Sequence, residues 1–462
     1  MGLRSAKQPH FCDTGDCITL LKGAFAKVKT QRRKSFYSAL AIFGLVGQIA
    51  WVVENMYFNV FIYEMFNATP ASISAMVAAS AVSATVTTLL IGALSDRMGK
   101  RKAFIVGGYI LWGISILSFA LIRTDTVGAL FPAAASVSAI CITLVIVMDC
   151  VMTFFGSSAN DACFNAWLTD MTDSTDRGRT EGINSMMPLV AILAVFGGFM
   201  AFDLEKSESW TLIFVIIGAA VILIGILGIF IIEEPQLEAR NEKSYFANIF
   251  YGFRPSVIKE NKRLYLFLGA FSVFAISIQV FMPYLILYYT ESLKMDGYVL
   301  IMAPAVILAS VFTAIWGRIY DKCGFSRSAV PALSLLALGY LVLFFTRGSV
   351  PVFIGSLLMM CGYLSGMAVF GAVIRDNTPE SRAGMFQGLR IVAQVLIPGV
   401  VGPVIGEWVL RNAEYVTNSD GTKSFIPHAG IFLAALAVLL LLAAGLGTAA
   451  LINKRKSQER NN

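Results

Sequence analysis

The chain has 462 residues, 57% of them hydrophobic and only 14% charged, with a mean hydropathy of +0.71. Soluble globular proteins carry about 25% charged residues. A water-soluble enzyme or binding module is therefore excluded, and repeated apolar runs of membrane-crossing length mark a polytopic membrane protein.

Two histidines and seven scattered cysteines speak against a metal cage or a disulfide framework. Residues 1–35 form a polar, basic tail expected on the cytoplasmic side, with Arg4, Lys7, Lys22, Lys27, Lys29, Arg32, Arg33 and Lys34. No cleavable signal is evident, because the first apolar run is too long for a signal core. Leu20, Leu21, Phe25 and Val28 fit either a short surface helix or a solvated basic tail.

Apolar segments follow near 36–64, 71–94, 103–122, 130–170, 182–203 and 209–232. After a polar linker at 233–262 come 263–290, 296–319, 327–345, 351–375, 384–409 and 428–452, then a tail at 453–462. The expected fold is an all-α membrane protein with twelve spans. Six-helix bundles occupy 36–232 and 263–452, and both termini share one side. The fourth segment is too long for one straight span, so a kink near Gly156 or an extension past the membrane is expected. With the termini inside, thirty Lys and Arg fall on inner segments and six on outer ones. That is a strong positive-inside bias. It accounts for the net charge of +7 through topology and anionic lipid, without nucleic acid.

One stretch recurs. Gly92-Ala93-Leu94-Ser95-Asp96-Arg97-Met98-Gly99-Lys100-Arg101-Lys102 follows the second segment, and Gly317-Arg318-Ile319-Tyr320-Asp321-Lys322-Cys323-Gly324 follows the eighth. Both contain G-x-x-x-D-x-x-G. A weaker echo pairs Asp173–Arg179, which includes Arg177, with Asp376–Arg382. The molecule thus reads as parallel repeats about an axis along the membrane normal. Gly92 is expected to allow close helix packing and Gly99 a tight turn. Asp96 is expected to meet donors at a helix N-terminus, with Arg97 and Arg101 reaching loop acids.

Charges inside apolar segments are costly and mark cavities or ion paths. The first segment carries Gln48, Glu54, Asn55 and Asn59, flanked by Trp51 and Phe58. At helical spacing Gln48, Asn55 and Asn59 lie within about 40° of one another. Such a face suits a hydroxyl-rich or amphipathic ligand, although amides also serve as interhelical glue and Glu54 could snorkel outward. In the fourth segment Asp149, Thr153, Gly156 and Asn160 form one stripe, and Ser157, Asp161 and Asn165 the next. Two carboxylates among such oxygens suit Na⁺ or a proton, with Thr85, Thr87 and Thr88 as candidate donors from the second segment. A kinked helix satisfied internally is the alternative. The second half offers Gln279 and Tyr284 on the seventh segment and Gln394 on the eleventh. Tyr288 and Tyr289 read as interfacial anchors. No P-loop, H-E-x-x-H or G-x-S-x-G occurs, so neither an enzyme nor an ATP-driven pump is expected.

Twelve spans in two halves, with G-x-x-x-D-R-x-G-K-R-K after the second, resemble the major facilitator superfamily. Asp161-Ala162-Cys163-Phe164-Asn165-Ala166-Trp167 and Asp170 to Arg179 resemble more closely the glycoside–pentoside–hexuronide cation symporters of the melibiose-permease type. That likeness implies a coupling role for Asp161 and a substrate role for Glu54. One departure is that the second segment has no acid before Asp96; Asp149 is a possible substitute, and a proton or no ion stays open. The superfamily likeness also implies a cytoplasmic gate holding the outward-facing state, from Gly92, Asp96, Arg97, Gly99, Arg101, Arg177, Arg179, Gly317, Asp321 and Gly324. Without a full basic run in its second copy, that gate is expected to be asymmetric.

The combined expectation is an alternating-access secondary transporter of the cell membrane, monomeric and without a cofactor beyond H⁺ or Na⁺. It would carry a sugar or glycoside by cation-coupled symport. Substrate would meet Trp51, Glu54, Asn55, Asn59, Asp161, Asn165, Gln279, Tyr284 and Gln394, with Asp149 and Asp161 carrying the ion. Two alternatives remain: a proton-linked exporter of amphipathic compounds or lipid carrier, and a non-transporting receptor or scaffold.

Overall fold

In the computed structural model, the structure describes residues 34–172, 176–235, 251–295, 297–378, 388–418 and 421–461; for 177, 178, 251 and 449–461 it describes the backbone only. The basic tail, the two echoed loops and the interior of the linker fall largely outside these residues. Eleven of the described helices are long and apolar enough to cross a membrane. They are α1 (Lys34–Phe66), α2 (Pro70–Met98), α3 (Lys102–Phe119), α4 (Val137–Asp170), α5 (Arg177–Phe199), α6 (Ser207–Ile231), α7 (Lys262–Ser292), α8 (Tyr298–Phe345), α9 (Ser349–Asn377), α10 (Gly388–Leu410) and α11 (Gly430–Asn461). Helices are the natural choice, because in hydrocarbon each backbone donor and acceptor must be satisfied within its own segment.

The 48-residue α8 is two spans. At Gly324 the backbone has φ 72° and ψ −177°, a region open essentially to glycine alone. The Trp316 indole donates to the Ser328 carbonyl at 3.2 Å. Residues twelve apart in a straight helix lie about 18 Å apart, so that bond requires the chain to double back. The recurrent stretch therefore sits on the turn between the eighth and ninth spans.

Side chains define the boundaries elsewhere. Asn67 closes α1 in the left-handed conformation (φ 54°). Thr69 caps α2, its hydroxyl accepting from the Ser72 N–H at 3.2 Å, with Pro70 in the first turn. Gly99, at φ 61°, closes α2. Two short strands, β1 (Tyr415–Thr417) and β2 (Lys423–Phe425), form an antiparallel hairpin between α10 and α11.

Packing sorts the helices into halves. In the first, α2 and α3 pack on α4, and α3 on α6; in the second, α7 packs on α10 and α11, and α8 on α9. The halves meet where α10 lies on α2 and the first limb of α8 on α5. At Gly399 a Cβ would stand 2.5 Å from the Ala81 Cβ, so only glycine lets α10 approach α2 this closely. Large apolar side chains such as Phe230, Leu300 and Leu441 are exposed, as lipid-facing surfaces require. Tyr288 and Tyr289 are not interfacial anchors. Both are buried, the Tyr288 hydroxyl donating to the Leu343 carbonyl at 3.3 Å and the Tyr289 hydroxyl lying 2.5 Å from Ser356 Oγ.

Candidate functional site

The polar centre of the first half is built on two local departures from the α-helix. π-Helical turns occupy Val53–Tyr57 in α1 and Ser157–Phe164 in α4, the latter directly after Gly156. Such bulges shift the direction of the following side chains and recur at functional sites. The first contains Glu54 and Asn55; the second contains Ser157, Asn160 and Asp161.

Glu54 does not snorkel. It is buried, and its Oε1 accepts from Ser80 Oγ at 2.7 Å and from Thr153 Oγ1 at 2.9 Å. Those hydroxyls lie 2.9 Å apart. Asp149 is buried in the same cluster and is an electrostatic neighbour of Glu54. Among the described residues, Glu54 Oε2 and Asp149 Oδ1 are buried without a hydrogen-bond partner, and no lysine, arginine or histidine pairs with either acid. Two neighbouring carboxylates thus each keep an oxygen that accepts no bond among the described residues. Ser80 supplies the donor from α2. The expected threonines do not: Thr85 bonds back to Ala81 in its own helix at 2.9 Å. Asp161 is also an electrostatic neighbour of Glu54 and takes a bond from Ser157 at 2.9 Å.

A second chain of contacts runs beside the acids. Trp51 donates through Nε1 to Asn160 Oδ1 at 3.4 Å, Asn160 Nδ2 donates to the Tyr109 hydroxyl at 2.7 Å, and that hydroxyl donates to the Phe43 carbonyl at 2.8 Å. The Trp51 and Trp112 rings lie 5.0 Å apart, and the buried Trp112 indole N–H has no partner among the described residues. Asn55 and Asn165 are exposed and bond back to the Trp51 and Asp161 carbonyls at 2.7 and 3.2 Å. Asn59 is buried, donating to the Asn55 carbonyl at 3.3 Å.

The expected residues of the second half do not join this cluster. Gln279 packs beneath α10, where a Cβ on Gly402 would meet it at 2.4 Å. Gln394 accepts from Arg390 Nε at 3.0 Å within α10. Arg390 is thus part of α10. Tyr284 is buried, its hydroxyl donating to the Pro70 carbonyl at 3.1 Å. Sequence reasoning missed Ser80, Tyr109, Trp112 and Arg390. Only the small-residue run Ala78–Ala81 hinted at close packing around Ser80.

The Major Facilitator Superfamily model matches residues 35–403. The chain belongs to this superfamily. No curated protein sequence matches it significantly. A solved structure of the nucleoside transporter NupG is 13% identical, with a TM-score of 0.65, over 88% of this chain and 98% of that one. A bacterial homolog of the human lysosomal transporter Spinster, in an inward-facing and occupied conformation, is 17% identical, with a TM-score of 0.65, over 91% and 97%. The xylose transporter XylE from E. coli, partially occluded and inward open, is 15% identical, with a TM-score of 0.63, over 89% and 97%. The superfamily fold thus extends along nearly the whole chain, which is a membrane transporter by family.

In this superfamily member the contacts of the recurrent stretch gather around Arg101 among the described residues. Arg101 is buried between α2 and α3; it pairs with Asp96 and Asp170 (2.9 Å to the latter) and donates to Ser95 Oγ at 2.5 Å. The carboxylate at the start of α3 is Glu234, which accepts from the Arg101 and Lys102 N–H groups at 2.5 and 3.3 Å. Burial opposes the charge of Arg101, but the Asp96 and Asp170 carboxylates outweigh it and raise its pKa. Gly92 is not a close-packing site, since a Cβ there would find only Ala162 at 3.8 Å, and Gly317 has open space. Arg97 and Asp321 are exposed. Arg179 lies over the Tyr37 ring at 4.6 Å, and the side chain of Arg177 lies outside the described residues. The two copies are thus unequal, and among the described residues Asp96, Asp170 and Glu234 all meet Arg101 from the first half.

Contacts between the halves gather at the opposite, hairpin end. The Tyr57 and Tyr298 hydroxyls are 2.9 Å apart, and the Tyr63 hydroxyl donates to the Phe425 carbonyl at 2.7 Å. Asn418 Nδ2 and Ser424 Oγ both donate to Asn67 Oδ1, at 3.0 and 2.8 Å. With Tyr284 on Pro70, these are the side-chain hydrogen bonds that join the halves among the described residues. Among the described residues, side-chain hydrogen bonds tie the halves together at the hairpin end.

Proposed function

We propose that the chain is a cation-coupled secondary transporter of a sugar or related glycoside, working by alternating access. The observation that carries this reading is the Glu54–Asp149 pair, with Ser80 and Thr153 between helices α1, α2 and α4. A proton or Na⁺ would fill the orphaned carboxylate oxygens, which offset their burial poorly when alone. The Trp51–Trp112 pair beside the polar chain from Asn160 to Tyr109 fits a hydroxylated ring. NupG and XylE, named for a nucleoside and for xylose, share the fold and favour a substrate of that kind. Relative to the sequence expectation, Glu54 moves from substrate ligand to ion site, with Asp161 as its electrostatic neighbour. The positive-inside bias supports a cytoplasmic Arg101 end with both termini on that side, and the hydrogen bonds joining the halves at the far, hairpin end fit an inward-facing state.

The test is uptake into proteoliposomes of a panel of sugars and nucleosides, with and without proton or Na⁺ gradients. Wild type should accumulate one class only with a gradient. Glu54→Gln and Asp149→Asn should lose accumulation while retaining exchange. Accumulation indifferent to both gradients, or unchanged in both variants, would sink the coupling assignment.

A further inference from the structure

Outside the polar centre the second half carries a groove of about 930 Å³ between α7, the second limb of α8 and α11. Its walls are apolar: Ala329 and Leu333 line the floor, while Leu266, Val330 and Leu440 are exposed at the rim. Gly447 closes the far side without a side chain, and a Cβ there would meet nothing within 4 Å. The groove therefore opens sideways to the bilayer, not to the central site. Its charge lies at one end only, where Lys262 and Arg263 begin α7 beside Ser326. Both basic side chains are exposed and form no ion pair with an acid among the described residues. The Arg263 guanidinium lies 6.0 Å from the Phe267 ring, which also lines the groove.

We infer that this groove binds an anionic glycerophospholipid of the cytoplasmic leaflet, with the phosphate at Lys262 and Arg263 and acyl chains along the α8–α11 walls. An apolar wall alone would not select a ligand, because neighbouring lipid tails are as apolar as the wall. Discrimination comes from the charged end, as in basic pockets between spans that hold anionic head groups. The inference rests on the proposed orientation of the Arg101 end but not on the substrate or the coupling ion.

The experiment is native mass spectrometry of the delipidated full chain, titrated separately with phosphatidylglycerol and phosphatidylcholine of matched chains. At about 1 kcal/mol per basic residue, wild type should prefer phosphatidylglycerol by roughly tenfold or more. Lys262→Gln with Arg263→Gln should bring phosphatidylglycerol down to the phosphatidylcholine level while leaving the latter unchanged. Gly447→Trp, which fills the groove and keeps the charges, should weaken both lipids; it also answers the question if the double variant does not fold. Wild type without a preference, a preference unchanged in the folded double variant, or affinities for both lipids unchanged in Gly447→Trp overturns the proposal. Displacement of the lipid by soluble glycerol phosphate would likewise overturn it, assigning the basic end to a free phosphate.

Discussion

Arg101 holds three separated pieces of the first half at one point. Its side chain joins Asp96 on α2 to Asp170 at the end of α4, and its N–H reaches Glu234 beyond α6. Removing the guanidinium leaves acids that were arranged around it, and breaking a buried ion pair costs about 3–5 kcal/mol. Asp96 is 40% exposed, so a smaller loss of roughly 1–3 kcal/mol is expected for Arg101→Met. A fall in thermal midpoint in detergent, with Arg97→Met as the near-neutral control, checks it; equal midpoints would remove Arg101 from this role. The pH dependence has a definite sign. A cation whose folded pKa is raised contributes stability fully below its unfolded value, which for a guanidinium lies far into the alkaline range. That contribution is lost only as pH rises through the folded value. The Arg101 contribution should therefore be flat from about pH 6 to 9. Glu54, Asp149 and Asp161 were legible in the sequence because a carboxylate in an apolar run is rare and expensive. Ser80 was not, since serine is common in small-residue helices and its partner Glu54 lies 26 positions away.

At the scale of the element, the spans were readable from hydropathy, but their internal breaks were only partly so. The sequence pointed to a kink near Gly156 or an extension past the membrane, and a π-helical turn begins at Ser157 that buries Asn160 and brings Ser157 to Asp161. The matching turn at Val53–Tyr57 had no such signal, because its sequence continues an ordinary amphipathic pattern. Gly324 is the opposite case: the repeat singled it out, and its backbone angles explain why. A side chain there is expected to cost about 1–3 kcal/mol. Gly324→Ala should lower the unfolding midpoint, whereas Gly317→Ala, in open space within the same stretch, should leave it in place. Equal effects of the two would refute the turn assignment. Tyr288 and Tyr289 were misread because position near a span's end resembles an anchor, while burial depends on neighbours from α8 and α9.

For the whole molecule, the conformational balance is set by what separates when the halves rock. In this state the hairpin end must part, breaking the bonds of Asn67, Tyr57, Tyr63 and Tyr284. A net hydrogen bond is worth about 0.5–1.5 kcal/mol. Asn67→Gly keeps the left-handed cap and deletes two bonds, so it should move the balance towards opening by roughly tenfold. Spin-label distances across the hairpin end would report this; an unchanged distribution would show that the hairpin does not hold the halves together. The gross architecture was legible because a membrane restricts the choices to helices and the repeat fixes their order. The bonds at the hairpin end were not, as they depend on pairings between Tyr57 and Tyr298, or Tyr63 and Phe425, that are hundreds of positions apart.

The chemical character of the two ends leads further. Among the described residues, the bonds closing the hairpin end use neutral hydroxyls, amides and carbonyls, whereas at the opposite end full charges around Arg101 tie helices of the first half to one another. Mobile ions screen the second kind, at least where solvent reaches Asp96, and scarcely touch the first. Ionic strength therefore becomes a one-sided lever: raising salt in the bath should loosen the helix junction around Arg101 within the first half and leave the hairpin end shut.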